Sequence, residues 1–440
     1  MSTGPRRLPH ASLTDTVQIV GTVVLPTLAR GVIVRRPPVV AKAEKLDADR
    51  RAVELLQRMR RRYGRGPLRL RLPRRMVVLL DPTHVQRVLD QTPEPFTPAS
   101  AEKRAALGHF QPHGVLISTG AERDDRRRFN EEVLDTTSPV HRSADVMVGR
   151  VQDEVDQLLT RARRDGALVW DDYSTMWDRM VRRVVLGDGA KDDEELTELL
   201  VRLRATANWA FLHPRRVRTR ARFLDRLAEH VDRAEPGSLA ASMAGTPTTD
   251  MTEPGQQPPQ WMFAFDAAAW ASFRALALLH AFPEQMARAR EEIAGRDLST
   301  PQDLSFLRAC ILESLRLWAT TPAVLRESTE RTLWEDGPMP ESTSILTYAP
   351  LFHRDDENLP YANEFDPDVW LDPAKARDWP LIPFSAGPAE CPGRNLVLHV
   401  SSSILAMILA GTELRLEDED RLHPLPSVLD PFSLRFPVVG

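Results

Sequence analysis

The sequence predicts a mainly α-helical fold with small β-sheets. Three observations carry that prediction: apolar residues recur at helical spacing along most of the 440-residue chain, alternating strand patterns are confined to short runs, and Trp261–His280 is apolar on nearly every face. A helix apolar all round belongs in the middle of a large fold.

The elements follow in order. Residues 1–45 read as an N-terminal extension and 46–440 as a single domain with one extensive core. Within the extension, "VQIVGTVVLPTLARGVIV" (Val17 to Val34) is apolar but broken by Pro26 and Arg30. It reads as surface-packed or interfacial rather than spanning, leaving peripheral membrane contact through residues 17–34 as the alternative. Ala52, Leu55, Leu56 and Met59 give a helix over Asp47–Arg62; "PLRLRL" and "MVVLL" then make a hairpin across a Pro-Arg-Arg turn. The arginines from Arg58 to Arg75 read as a solvated face, with a patch for a membrane surface or an acidic protein as the alternative.

Helices are predicted over Pro82–Leu89, Glu122–Leu134, Ala144–Arg164, Asp192–Phe211 and Arg215–Ala234. Residues 234–260, rich in Gly, Pro, Ser and Thr, read as a long surface loop.

Composition excludes several classes. The net charge of −4 gives no global reason to expect a nucleic-acid partner. Two cysteines, Cys310 and Cys391, make neither a disulfide framework nor a zinc site, since they lie 81 positions apart, no CxxC occurs and no histidine pair stands near either; a reduced, cytoplasmic setting is expected. Neither GxxxxGK[ST] nor GxGxxG occurs, so any electrons must come from a separate protein.

Chemistry concentrates in "FSAGPAECPGRN", residues 384–395. Gly387 and Gly393 let backbone N–H groups approach the Cys391 sulfur, Phe384 supplies a flat apolar surface, and a helix opening at Arg394 favours a negative sulfur. These features suit a thiolate that binds a metal from one side; a buried structural cysteine is the alternative.

The loop resembles the cysteine-ligand loop of the cytochrome P450 family, aromatic-x-x-Gly-x-(Arg or His)-x-Cys-x-Gly. Other family marks occur in order: Glu313 and Arg316 in "ILESLRL" resemble the Glu-x-x-Arg pair, and "PLFHRDDENLPYANEFDPDVW" resembles the His-Arg-Asp segment and meander. Arg326 stands where a haem-propionate arginine is common, and "ERDDRRRF" places Arg127 in the (Trp or His)-x-x-x-Arg pattern with Arg123 in the aromatic position.

The resemblance implies a haem b between the distal helix, about 261–280, and the loop 384–393. Cys391 would be the metal ligand, Arg123, Arg127 and Arg326 the propionate partners, and Glu313 with Arg316 a structural network. It also implies a cytochrome P450-type monooxygenase acting on a small, largely apolar substrate, by hydroxylation, coupling, cyclisation or desaturation in specialised metabolite biosynthesis. A peroxide-driven peroxygenase and a non-catalytic haem-binding relative are the alternatives. The electron donor would be a ferredoxin or flavodoxin with its reductase, docking on the arginines Arg123 to Arg128 and Arg394, and the weak N-terminal anchor suggests the bacterial soluble type.

Three positions depart from the pattern. Ala389 occupies the Arg or His place, which Arg123 is expected to compensate; Val369 replaces the meander arginine; and the distal motif (Ala or Gly)-Gly-x-(Asp or Glu)-Thr aligns with Ala268, Ala269, Trp270, Ala271 and Ser272. Ala268, Ala269 and Ser272 are expected to share the catalytic, haem-facing side, with Trp270 packed outward and Asp266 either a remote acid or a carboxylate paired with a cation. The pocket is expected from Pro93–Leu116, Trp209, Phe211, Ala323 and Val324.

Overall fold

A computed structural model describes residues 7–209, 213–376 and 379–439. The N-terminal extension comprises α1 (Leu13–Ile19), a π-turn (Val20–Val24), α2 (Leu25–Arg30) and α3 (Pro37–Lys45). Ile19 and Val23 are buried in the core beneath the main sheet, whereas Leu13, Val17, Leu25 and Leu28 on the other face are exposed. Arg30, which interrupts the apolar run, turns inward onto Asp49.

Next come α4 (Ala48–Tyr63), β1 (Leu68–Arg69), β2 (Met76–Val78), α5 (Pro82–Asp90), β3 (Phe96–Thr97) and α6 (Ala101–Leu107). The apolar stripe expected on α4 is buried, and Asp81 caps α5 by accepting from the Thr83 N–H, with Pro82 preset in the first turn. The predicted hairpin forms as the antiparallel pair β1/β2. The substrate-side stretch Pro93–Leu116 is more ordered than a loop, since Ser100 caps α6 inside it.

The helical body contains α7 (Gly120–Val133), α8 (Ala144–Asp165), β4 (Ala167–Val169), α9 (Trp170–Leu186), α10 (Glu194–Ala207), α11 (Val217–Arg233) and α12 (Leu239–Ala244). The helix α12 corrects the reading of 234–260 as loop throughout: Ser238 accepts from the Ala241 N–H and starts a helix whose Leu239 and Ala240 are buried.

Next is α13 (Pro258–Ala281), followed by α14 (Pro283–Ile293), α15 (Ser305–Leu317), β5 (Ala323–Ser328), β6 (Thr332–Trp334), β7 (Gly337–Met339) and β8 (Ser344–Tyr348). The chain closes with α16 (Ala349–His353), α17 (Asp368–Leu371), α18 (Pro373–Ala376), α19 (Arg394–Gly411) and β9 (Arg435–Pro437).

The main sheet has the order β1-β2-β8-β5-β3, with β2 and β8 parallel and the other neighbours antiparallel; β4/β9 and β6/β7 form two-stranded sheets. One core runs through the helical body, and a second lies between the main sheet, α4 and α5. The central helix α13 is buried along most of its length, and side chains such as Phe265, Phe273 and Leu276 each contribute about 1.5–3 kcal/mol by leaving water. By length and composition alone, Pro254–Ala281 and Arg394–Gly411 could cross a membrane, but both are mostly buried as core helices of this fold.

Candidate active site

The cysteine loop is shaped by its neighbours. Gly387 has φ +65° and a Cβ there would lie 2.3 Å from the Leu89 carbonyl oxygen at the end of α5, so both conformation and space demand glycine. The Cys391 N–H donates to the Phe384 carbonyl at 2.9 Å, closing the turn, and Gly393 stands at the N-terminus of α19. Phe384 is half-buried against the main core.

Burial pushes the Cys391 thiol up, while the Gly393 backbone, Arg127 and Arg394 pull it down; the net direction is up.

The three candidate propionate arginines differ in their commitments. Arg127 donates to the Glu390 carbonyl at 2.6 Å and pairs with Glu131, so it braces the loop backbone. Arg123 is buried, reaches the Pro388 carbonyl at 3.3 Å and leaves its Nε without a partner. Its guanidinium thus lies against the loop next to Ala389, where the missing Arg or His would stand. Arg326 donates to Ser385 in the loop at 3.0 Å and to Thr92, and among the described residues no carboxylate pairs with it. Burial, reinforced by Arg123, lowers it to about 10.

Sequence reasoning missed Lys103 on α6. Burial and then Arg326 bring it to about 7, against a smaller upward pull from Glu102. No motif marks Lys103; its only sequence signal is its place in the stretch expected to line the pocket. Lys103, Arg123 and Arg326 therefore form a cationic group near the Cys391 loop, in which, among the described residues, the one ion pair joins Arg123 to the exposed Asp124 at 3.6 Å. That donor set, with the unpartnered Arg123 Nε, fits a dianionic macrocycle ligated by Cys391.

Glu313 and Arg316 are fully buried and bidentately paired. Arg316 also donates to the carbonyls of His353, Ala362, Tyr361 and Glu364, fastening the meander. Val369 packs in a small apolar cluster with Leu359, Tyr361 and Ala362. The donor that its loss would cost Glu313 comes from the next residue: Trp370 Nε1 donates to Glu313 Oε2 at 3.0 Å, and the Asp366 N–H to Oε1 at 2.9 Å.

The distal face differs most from expectation. Ser272 is fully buried and hydrogen-bonds Tyr173 of α9 at 2.7 Å while donating to the Ala268 and Ala269 carbonyls. Ala268, Ala269 and Ala271 are buried too, whereas Phe263, Ala264, Ala267 and Trp270 retain open surface. Of the expected catalytic set Ser272, Ala268 and Ala269, Ser272 makes the contact with α9. Periodicity marks faces on a helix, but a helix apolar all round does not reveal which face meets which neighbour. Phe263 meets Phe110 edge-on at 5.5 Å, turning the open side toward the α6 stretch.

Asp266 pairs with Arg204 of α10 and lines a cavity of about 160 Å³ between α9, α10 and α13, together with Asp178. Burial first, then the Asp266 charge, raises Asp178 to about 7. Trp270 borders this cavity and a second one, so it is not simply outward core packing. Trp209 is 52% exposed beneath Arg36, and Ala323 and Val324 lie on β5; Phe211 lies outside the described residues. The arginines expected to form a docking face are largely neutralised: Arg126 pairs with Glu122 and Glu253, Arg128 with Asp125 and Glu132, and Arg394 with Glu390.

A long apolar helix packs on the helix that follows the cysteine loop, beside a buried Glu-x-x-Arg pair. Comparison with known proteins carries this further. The family model described as Cytochrome P450 matches residues 261–432. A crystal structure of a cytochrome P450 (CYP102L1) superposes with a TM-score of 0.73 over 99% of both chains at 18% identity, which establishes the fold.

Among curated proteins, probable cytochrome P450 4s3 of Drosophila melanogaster is 27% identical over 43% of this chain and 39% of its own. Drimenol monooxygenase of Persicaria hydropiper is 29% identical over 32% and 31%, and cytochrome P450 monooxygenase dtxS2 of Metarhizium robertsii 31% identical over 31% and 30%. The matched stretch spans about a third of the length of these relatives. Residues 261–432 thus match the cytochrome P450 family model, and the whole chain carries the fold of the solved structure. That family implies a haem-thiolate cofactor.

Proposed function

We propose that the protein is a monooxygenase that holds haem b through Cys391 and oxidises a small, largely apolar organic molecule. The observation that carries this is the pairing of the Cys391 loop with three cations, Lys103, Arg123 and Arg326, among which the one ion pair seen in the described residues joins Arg123 to the exposed Asp124 at 3.6 Å. Bound haem supplies dioxygen activation and one-electron chemistry.

The chain's own residues do the rest. Arg123, Arg326 and Lys103 would hold the propionates, while Phe384 and Gly387 set the loop against the core and α5. The Tyr173 bond and the two carbonyls leave Ser272 outside proton delivery. Asp266 takes over the acid's place when the distal motif is moved upstream, with Ala267 in the alcohol's place. Its carboxylate, held by Arg204 and next to Asp178 in a cavity large enough for several waters, can pass a proton from solvent along α13.

An alcohol-free distal face also supports the peroxide-driven alternative, in which product forms with hydrogen peroxide alone. A ferredoxin or flavodoxin remains the proposed electron donor for the dioxygen reaction. The stripe Leu13, Val17, Leu25 and Leu28 supports peripheral membrane contact by an otherwise cytoplasmic protein, which co-sedimentation with anionic vesicles tests.

The deciding experiment is the carbon-monoxide difference spectrum of the dithionite-reduced protein beside Cys391→Ala. A long-wavelength Soret band lost in the variant supports the reading. Haem whose spectrum ignores the substitution, or no haem, refutes it.

A further inference from the structure

A second group of cations short of carboxylates lies where the N-terminal extension meets α13 and the segment after α15. Arg30, Arg35 and Arg274 border a cavity of about 30 Å³ with Trp270, Trp318 and Phe432. Only Arg30 has a carboxylate: both its Nη atoms pair with Asp49, whose Oδ1 also accepts from Tyr348, and its Nε stays buried without a partner.

Arg35 donates to the Gly31 carbonyl at 2.8 Å and to that of Thr320, and lies over the Trp270 ring at 5.4 Å. Arg274 donates to the carbonyls of Leu429 and Trp318. Among the described residues no ion pair reaches either guanidinium. The acids that act on Arg274 from further off are committed elsewhere: Glu44 to Arg421, Asp430 to the Phe432 N–H, and Asp49, which lines the cavity and also acts on Arg35, to Arg30 and Tyr348, so the three guanidiniums still outnumber the one carboxylate in the lining. Burial lowers Arg35 to about 9 and Arg274 to about 10, the mark of cations without a counter-charge.

The haem accounts for the Lys103, Arg123 and Arg326 group but not for this one. We propose that Arg35 and Arg274, with Arg30 behind them, bind the carboxylate of an amphipathic organic acid whose apolar body lies along Trp270, and that this acid is the substrate. The assignment rests on the oxidase reading above.

Size and chemistry agree with it. A water-sized group needs about 10–15 Å³ by this measure, so the cavity takes the two oxygens of a carboxylate. Guanidinium forks match that planar anion, and the tryptophans give the adjoining body an apolar wall. Arg35 is placed by a strap: Asn208, just past α10, accepts from the Ile33 and Val34 N–H groups and donates to the Val34 carbonyl. The segment from Thr320, beside Arg35, to Arg326, beside the cysteine loop, spans at most about 20 Å, which bounds how far an anchored acid must reach.

The test is calorimetric titration of the haem-loaded protein with decanoate, dodecanoate and their methyl esters, with acetate as the small anion. The acids are expected to bind about tenfold or more tighter than the esters. Arg35→Gln and Arg274→Gln are expected to abolish that preference while leaving ester binding unchanged. Equal binding of acid and ester, no binding of either acid, or acetate binding as tightly as dodecanoate overturns the proposal. The wild-type comparison decides even if a variant fails to fold. A normal carbon-monoxide band without acid preference sinks this inference alone, whereas a missing band sinks the oxidase reading beneath it.

Discussion

Trp370 and Glu313 are joined by a 3.0 Å hydrogen bond from the indole Nε1 to the buried carboxylate, and this bond stands in for the meander arginine that Val369 replaces. Trp370→Phe keeps the ring's packing and removes one donor from a carboxylate with no access to water. A loss of about 1–3 kcal/mol is expected in urea unfolding. Glu313→Gln, which leaves Arg316 as an uncompensated buried charge, is expected to cost more, about 3–5 kcal/mol.

The Ser272–Tyr173 bond is structural. Ser272→Ala is expected to lower stability by about 0.5–1.5 kcal/mol and to leave product yield per electron unchanged. Uncoupled turnover in the variant, read as hydrogen peroxide release, would return Ser272 to the proton path.

Asp178 gives a pH signature. Its folded-state pKa of about 7 lies above the ordinary carboxylate range, so the native state binds this proton more tightly than the unfolded chain does. Its contribution to stability is complete below about pH 4 and is lost as the pH rises through about 7. Asp178→Asn is expected to flatten that decline and to be relatively more stable than wild type at pH 8 than at pH 5, measured by urea midpoints. The charges facing Asp178 are Asp266 on α13, Arg182 on its own helix and Arg204 on α10. Removing the Asp266 charge with Asp266→Asn is expected to bring Asp178 back down.

Gly387→Ala places a Cβ against the Leu89 carbonyl in a left-handed backbone conformation. The loop must move from α5, and the ratio of Soret to protein absorbance after purification is expected to fall several-fold. Full haem content in this variant would show that the contact with α5 does not position Cys391.

The sequence by itself determined the helical class, the hairpin after α4, most helix positions and the special loop around Cys391. Each of these is written locally, in apolar spacing, capping residues, and glycines required by one backbone conformation. Tertiary structure decided which face of α13 is open, because an apolar helix carries no polar side to orient it and only packing against Tyr173 and Phe110 breaks the tie. It also decided that Arg127 braces the loop while the Arg123 Nε stays without a partner, that Trp370 donates to Glu313 beside Val369, and that Lys103 lies near Arg326. These pairings join residues far apart in the chain, and an ion's partner is set by distance and burial, which no local pattern encodes.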